Sequence, residues 1–320
     1  MNNTRSRRAA PRRLRNFIAR HSHPGHARRW GVVAISGLVW ALAGANNALA
    51  DELLGVGMDV GVMADDNVTR GHGSGNVLSD QIISMSFSKV LRAPVSNNAR
   101  LLVHGLLGFN GHTRFAGLSN AMVGVQGEFQ YRPSASFSAP TYGLSLRTSI
   151  EEYNSKLRDS YRSVAGFSVR KPITDRLQFF SALSYTWRDS KSEVFDTRET
   201  ALRASADLAL TRHDTLYLGV EYRVGDIVST GRPAVPFVDL ATAIVLDDVF
   251  TDTTRYAYKM DGNTGLLSLG YHRAFSERHA LDLSWRMANA TPSSVAGASY
   301  AATQINYTVN QFALAYLMRF

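Results

Sequence analysis

From Leu53 onward, apolar and polar residues alternate with a period of two, and the alternation restarts after each turn. Leu54, Val56, Met58, Val60 and Val62 interleave with Gly55, Gly57, Asp59 and Gly61. The pattern returns at Ile83-Met85-Phe87, Leu101-Val103-Leu107-Phe109, Val123-Val125-Phe129-Tyr131, Tyr142-Leu144-Leu146-Ile150 and Tyr161-Ala165-Phe167-Val169. It continues through Leu177-Phe179-Leu183-Tyr185-Trp187, Leu202-Ala204-Ala206-Leu208-Leu210 and Leu216-Leu218-Val220-Tyr222-Val224, then Leu267-Leu269-Tyr271, Leu281-Leu283-Trp285-Met287 and Phe312-Leu314-Tyr316-Met318-Phe320, twelve segments in all. Side chains of a strand point to alternate faces, so sustained period two predicts strands with one apolar and one polar face.

The polar faces carry Arg100, His104, Gln126, Glu128, Arg147, Glu151, Arg162, Arg170, Arg188, Arg203, Asp207, Glu221, Arg223, Asp282 and Arg286. Most segments run about 10–12 residues, the length a tilted strand needs to cross a hydrocarbon layer, whereas strands of soluble domains average about 5–6. Aromatics cluster near the strand ends (Tyr131, Tyr142, Tyr161, Tyr185, Trp187, Tyr271, Trp285, Tyr316), where interfacial girdles sit. The connections also alternate. Short ones lie near Pro94, Pro133, Pro172, Asp214 and Glu277; mostly longer ones lie at 65–80, at NGHTRFAGLSN, at RDSKSEVFDTRE, from about Asp226 to Asn263, and at ANATPSSVAGAS. The one brief member of the long set follows Glu152.

Backbone groups inside lipid have no water to bond, so such strands cross it only as a closed barrel. The expected fold is therefore all-β, a transmembrane antiparallel β-barrel of about twelve strands, with the segment near Leu54 closing against that near Phe320. The run Asp239-Leu240-Ala241-Thr242-Ala243-Ile244-Val245-Leu246 leaves three readings: a short helix folded into the barrel, a hairpin extension above the membrane partnered by Tyr256-Ala257-Tyr258, or two more strands, giving fourteen. Pro233 and Pro236 on one side and Asp247-Asp248 on the other favour a loop.

Charge changes the picture less than its total suggests. The chain holds 35 Lys+Arg against 26 Asp+Glu, but nine arginines and no acid fall in the first 50 residues. Without them, 26 basic residues face 26 acidic ones, which removes the argument for nucleic acid. That basic stretch precedes the apolar run from Trp30 to Ala45 and then Ala48-Leu49-Ala50, the parts of a secretory signal peptide cleaved after Ala50. Residues 1–50 are thus a leader with a long basic start and 51–320 the barrel. Arg28-Arg29 raise a twin-arginine reading that the surrounding residues match poorly. Cysteine is absent, so disulfides and thiolate chemistry are excluded.

The end of the chain, NQFALAYLMRF, resembles the C-terminal assembly signal of bacterial outer-membrane β-barrel proteins, with Phe320 terminal and Met318, Tyr316, Leu314 and Phe312 at alternate positions before it. The resemblance implies a Gram-negative outer membrane with its lipid and lipopolysaccharide, and recognition by the barrel-assembly machinery. The stretch Asp65-Asp66-Asn67-Val68-Thr69-Arg70 is similar to one closing the first strand of barrels linked to exopolysaccharide export and of the barrel part of surface-lipoprotein assembly modifiers; the helical-repeat domain of the latter is missing here.

Candidate chemistry follows from these faces. Asp65 and Asp66, with Asn67, offer oxygen ligands for Ca²⁺, or else the local backbone bonds of a strand exit. His72 in Gly71-His72-Gly73-Ser74-Gly75, and the acid pairs Asp65-Asp66 and Asp247-Asp248, are the material for a rim hydrolase; no triad spacing supports one, and no cofactor and no enzymatic role are expected. The solute-facing set is Arg147, Arg162, Arg188, Arg203, Arg223 and Arg286 with Glu128, Glu221 and Asp207, beside Arg170 on the same face. Rings of arginine lower the barrier for anions in a wet pore. The competing reading fills the lumen with ion pairs: in the hairpin turning at His213, Arg203 and Arg223 sit opposite one another, with Asp207 and Glu221 neutralising them. The expected function is passage of small or sugar-like solutes, anionic ones included; the alternative is a non-conducting surface barrel that binds a partner through its long loops.

Overall fold

The computed structural model describes residues 56–250, 254–293 and 305–320. The proposed leader, and parts of the 226–263 and ANATPSSVAGAS connections, lie outside these residues. Strands β1 (Val56–Asp65), β2 (Asp80–Ser96), β3 (Ala99–His112), β4 (Asn120–Tyr131), β5 (Thr141–Tyr153), β6 (Ser160–Pro172), β7 (Leu177–Ser190), β8 (Thr197–Ala209) and β9 (Asp214–Gly231) follow in order. After them come helix α1 (Val235–Leu240), strand β10 (Ala243–Leu246), and strands β11 (Tyr256–Ala274), β12 (His279–Pro292) and β13 (Tyr307–Arg319). Each strand pairs antiparallel with its neighbour; β9 pairs directly with β11, and β1 with β13, closing a barrel of twelve strands. Closure runs from Gly57 opposite Arg319 to Asp65 opposite Gln311.

Parity decides what each face meets. Leu144, Leu202, Leu218, Leu283 and Phe312 are exposed on the outer face, a belt that water would penalise and hydrocarbon accepts. Tyr131 pairs with Tyr142 low on this belt, while Tyr161 and Trp187 stand near its upper edge, so aromatics mark both interfaces.

Strand lengths depart from the expected 10–12. β2, β9 and β11 have 17, 18 and 19 residues, more than a crossing needs. The excess of β2 runs down with β3 past the lower rim. The excess of β9 and β11 runs up, so the expected loop from Asp226 to Asn263 is strand as far as Gly231 and again from Tyr256, and only 232–255 connects them. Within it, α1 precedes β10, and β10 pairs with Tyr256–Lys259 of β11. β10 is no barrel strand, because its partner edge on β11 lies above the point where β12 pairing stops, at Gly262 opposite Pro292.

Three upper hairpins share one construction. β3–β4, β5–β6 and β7–β8 each contain a single 3₁₀ turn, and a side chain just after it accepts the backbone N–H of a residue at the end of the preceding strand. Ser119 Oγ takes His112 N–H at 2.9 Å, Asp159 Oδ1 takes Tyr153 N–H at 2.8 Å, and Asp196 Oδ1 takes Ser190 N–H. These caps satisfy strand ends that would otherwise lack partners.

Candidate functional site

Ladder register places the side chains of Arg147 and Arg162, Arg188 and Arg203, Arg223 and Arg286 on the inner face, with Glu128, Asp207 and Glu221. The register also corrects the hairpin at His213. Arg203 lies opposite Glu221, and Arg223 opposite Ala201, two residues along, so the two arginines do not face each other. Glu221 is claimed by Arg223 of its own strand, which also lies 3.5 Å from Glu199. Asp207 sits across from Tyr217 and pairs with no arginine among the described residues.

The inner wall therefore holds two kinds of arginine. Arg188 and Arg162 share Glu151, Arg188 with additional bonds to Tyr153 and Ser160, and Arg223 holds Glu221 and Glu199. Arg147, Arg203 and Arg286 have no carboxylate partner among the described residues. Arg147 lies in the fields of Arg162 and Glu151, and Arg286 in those of Arg223, Glu221, Arg70 and Arg203, so arginines outnumber acids around Arg286. Across the lumen, β1 to β3 present Gly61, Ser84, Ser86, Ser88, Leu102 and Leu106, together with His104, Asp59 paired to Arg319, and Arg92 and Arg100 toward the lower end. The arginine-rich arc runs from β5 to β12.

Above the arc the mouth is roofed, which sequence alone did not reveal. Gly225 and Gly262 are direct partners, and at this level β8 and β12 both end their pairing. Gly225 has φ of 144°, and a Cβ there would stand 2.1 Å from the Arg198 carbonyl oxygen, so only glycine fits. Beyond this pair the β9–β11 ribbon has no barrel neighbours and, joined by β10, crosses the mouth. Its inner face buries Ile227, Tyr258 and Met260 against Phe237 and Leu240 of α1, with the Phe237 and Tyr258 rings 5.0 Å apart. Its outer face buries Ala257 and Ala243 against Val194 and Phe195 of the β7–β8 hairpin.

The far side of the roof docks on hairpins from other parts of the ring. Asp247 is wholly buried and takes both terminal nitrogens of Arg158, at 3.0 and 2.8 Å, together with the Thr230 hydroxyl at 2.8 Å. Arg158 stacks over the Phe195 ring at 4.2 Å, and Ser155 donates to Asp248 at 2.6 Å. Phe250 meets Phe115 edge-on at 4.9 Å. Phe115 belongs to the β3–β4 hairpin, six strands around the ring from the β9–β11 junction, so the roof spans the full mouth.

The Asp65-Asp66-Asn67-Val68-Thr69-Arg70 stretch laces this roof to the barrel seam. Asp65 receives both terminal nitrogens of Arg70 at 2.9 Å and the Gln311 amide at 2.7 Å; Asp66 receives the backbone and side-chain nitrogens of Asn310 at 2.7 and 2.9 Å. Asn67 reaches Thr308, while the Thr69 and Arg70 carbonyls accept from Thr230 and Ser229 of the roof ribbon. The carboxylates of Asp65 and Asp66 thus turn to separate nitrogen donors, and among the described residues no cluster of three or more acids and histidines forms. His72 spends Nδ1 on the Asn306 carbonyl at 2.6 Å. Arg158 was invisible to pattern reading because its partner Asp247 lies 89 residues away.

No protein-family model matches the chain, and no curated protein matches its sequence. Among solved structures, an outer membrane channel from Pseudomonas putida F1 is similar with a TM-score of 0.52 at 10% identity, over 83% of this chain and 96% of that one. The NanC porin (TM-score 0.43, 8% identity, 82% of this chain and 100% of that one) and the KdgM porin in complex with disordered oligogalacturonate (0.41, 9%, 82% and 99%) are more distant. At these identities the likeness is one of fold: the chain has the architecture of a bacterial outer-membrane β-barrel protein.

Proposed function

We propose that this barrel is a channel in the outer membrane of a Gram-negative bacterium, passing small or sugar-like anionic solutes under a gating roof. The observation that carries the reading is the set Arg147, Arg203 and Arg286, which face the lumen and form no direct ion pair with a carboxylate among the described residues. A lumen built only for ion-paired filling would match each inward arginine with an acid, since an unmatched charge on a narrow wall is costly. Without a direct ion pair, these guanidiniums attract anions and repel cations along the arc. The roof restricts entry, and the glycine pair Gly225 and Gly262 is its natural hinge.

Planar-bilayer recording tests this. The wild-type barrel is expected to conduct with anion preference, and Arg203→Glu with Arg286→Glu to shift the anion-to-cation ratio by on the order of 1 kcal/mol per charge, roughly fivefold each. Folded protein that passes no current would support the surface-binding alternative.

A further inference from the structure

At the lower end of the lumen, away from the roof, the β2–β3 hairpin projects beyond the belt, and the β4–β5 turn folds back onto it. Arg132 donates its backbone N–H to Asn98 at 2.8 Å, and the Asn98 side chain reaches Pro133 at 3.4 Å. Between them opens a cavity of about 480 Å³ whose lining includes Arg92, Arg100, Gln130, Arg132, Ser134 and Thr141, with no carboxylate. Arg92 Nε is sealed from water and has no hydrogen-bond partner. Arg100 donates Nε to Gln130 at 2.7 Å, and Arg132 donates one terminal nitrogen to the Ser136 and Phe137 carbonyls. None of the three has an acidic partner among the described residues. Glu128, the nearby acid, is taken by Gln130 from its other side at 2.6 Å.

Three guanidiniums around one cavity repel each other, and a single anion seated among them relieves that repulsion. Planar, forked donors suit carboxylate and phosphate groups. Arg92, Arg100, Gln130 and Thr141 all have lumen parity, so the occupant arrives through the barrel and not from lipid. We infer that this cavity is an exit-side binding site for a carboxylate- or phosphate-bearing solute. The inference deepens the channel reading and rests on it for the solute's route, while binding itself is measured without conduction.

The test is calorimetric titration of inorganic phosphate into the full barrel folded in a non-ionic detergent, with gel mobility before and after heating as the check on folding. Phosphate is expected to bind, and Arg92→Gln or Arg100→Gln to weaken it about tenfold or more, the loss of one charge-assisted contact. Arg132→Gln, at the exposed rim, carries the same expectation should the other two fail to fold. Undetectable binding to the wild type, or affinity unchanged in the folded variants, overturns the site. Affinity equal in phosphatidylcholine and phosphatidylglycerol nanodiscs supports a solute; competition by the anionic headgroup assigns the cavity to lipid and overturns it. Absence of current in bilayers would remove the channel reading and leave the phosphate result standing, so the two fail separately.

Discussion

Asp247 accepts both terminal nitrogens of Arg158 and the Thr230 hydroxyl, and Arg158, pressed against Phe195, would keep only Ser155 and the half-exposed Asp248 at 3.6 Å without it. Removing one partner of a buried pair costs about 3–5 kcal/mol where the other charge is left alone, and Asp248, 3.6 Å from Arg158, reduces that here. Asp247→Ala should spend that on the roof and spare the barrel: trypsin is expected to cut after Arg255 in protein that still migrates as a folded barrel, whereas resistance equal to wild type would show that the roof is held elsewhere. Asp159 gives a pH-dependent case. Burial raises its carboxyl, but bonds from Lys191 and the Tyr153 N–H, with the charges of Lys191 and Lys156, outweigh burial and hold it below the ordinary value of 3.8. A depressed carboxyl stabilises above its unfolded value and loses that contribution as pH falls through the folded one. The protection that wild type shows over Asp159→Asn at the Tyr153 amide should therefore be full at neutral pH and shrink below pH 3.8, measured by hydrogen exchange. At this scale, alternation revealed which arginines face inward, since parity is local. It did not reveal their partners. Whether Arg203 meets Arg223 or Glu221 depends on a two-residue offset fixed by the turn, which period two leaves open.

Among the elements, the roof is where the favoured loop reading gives way to the hairpin extension partnered by Tyr256-Ala257-Tyr258, with a short helix before it. The barrel strands were legible because each must satisfy one face to lipid and one to the lumen along its whole length. The segment near Leu240 answers to neither. Its apolar residues pack on Ile227, Tyr258 and Met260, contacts that no local period encodes. The signal that was present lay in two glycines flanked by acids, Gly225-Asp226 and Asp261-Gly262, and it speaks only once they are known to be paired. Gly225→Ala forces a Cβ against a backbone oxygen at positive φ, strain of about 1–3 kcal/mol; the expected outcome is a lower urea midpoint, and an unchanged one would remove the hinge from the argument. The roof's mobility has a direct test. A Cβ on Gly117 would lie 3.3 Å from Val249 Cβ, close to the roughly 3.5–4.5 Å of a disulfide, and the chain has no other cysteine. Gly117→Cys with Val249→Cys should lower conductance when oxidised and recover it on reduction. Equal currents in both states would mean that solutes pass beside a static roof.

For the molecule as a whole, closure was legible from strand number and length, and the structure closes where expected, β1 against β13. Illegible were the long-range ties above it, because each joins hairpins distant in sequence. One of them bears on mechanics. A thin cylinder of strands is stiff along its hydrogen bonds but soft toward flattening, since its cross-section can become oval with small changes at every ladder. A sheet anchored at the β9–β11 wall and fastened at Phe115 on the opposite rim works as a tie-beam across the diameter. It fixes one axis of the cross-section, so lateral pressure from the surrounding lipid would change the lumen's width chiefly when that beam is released.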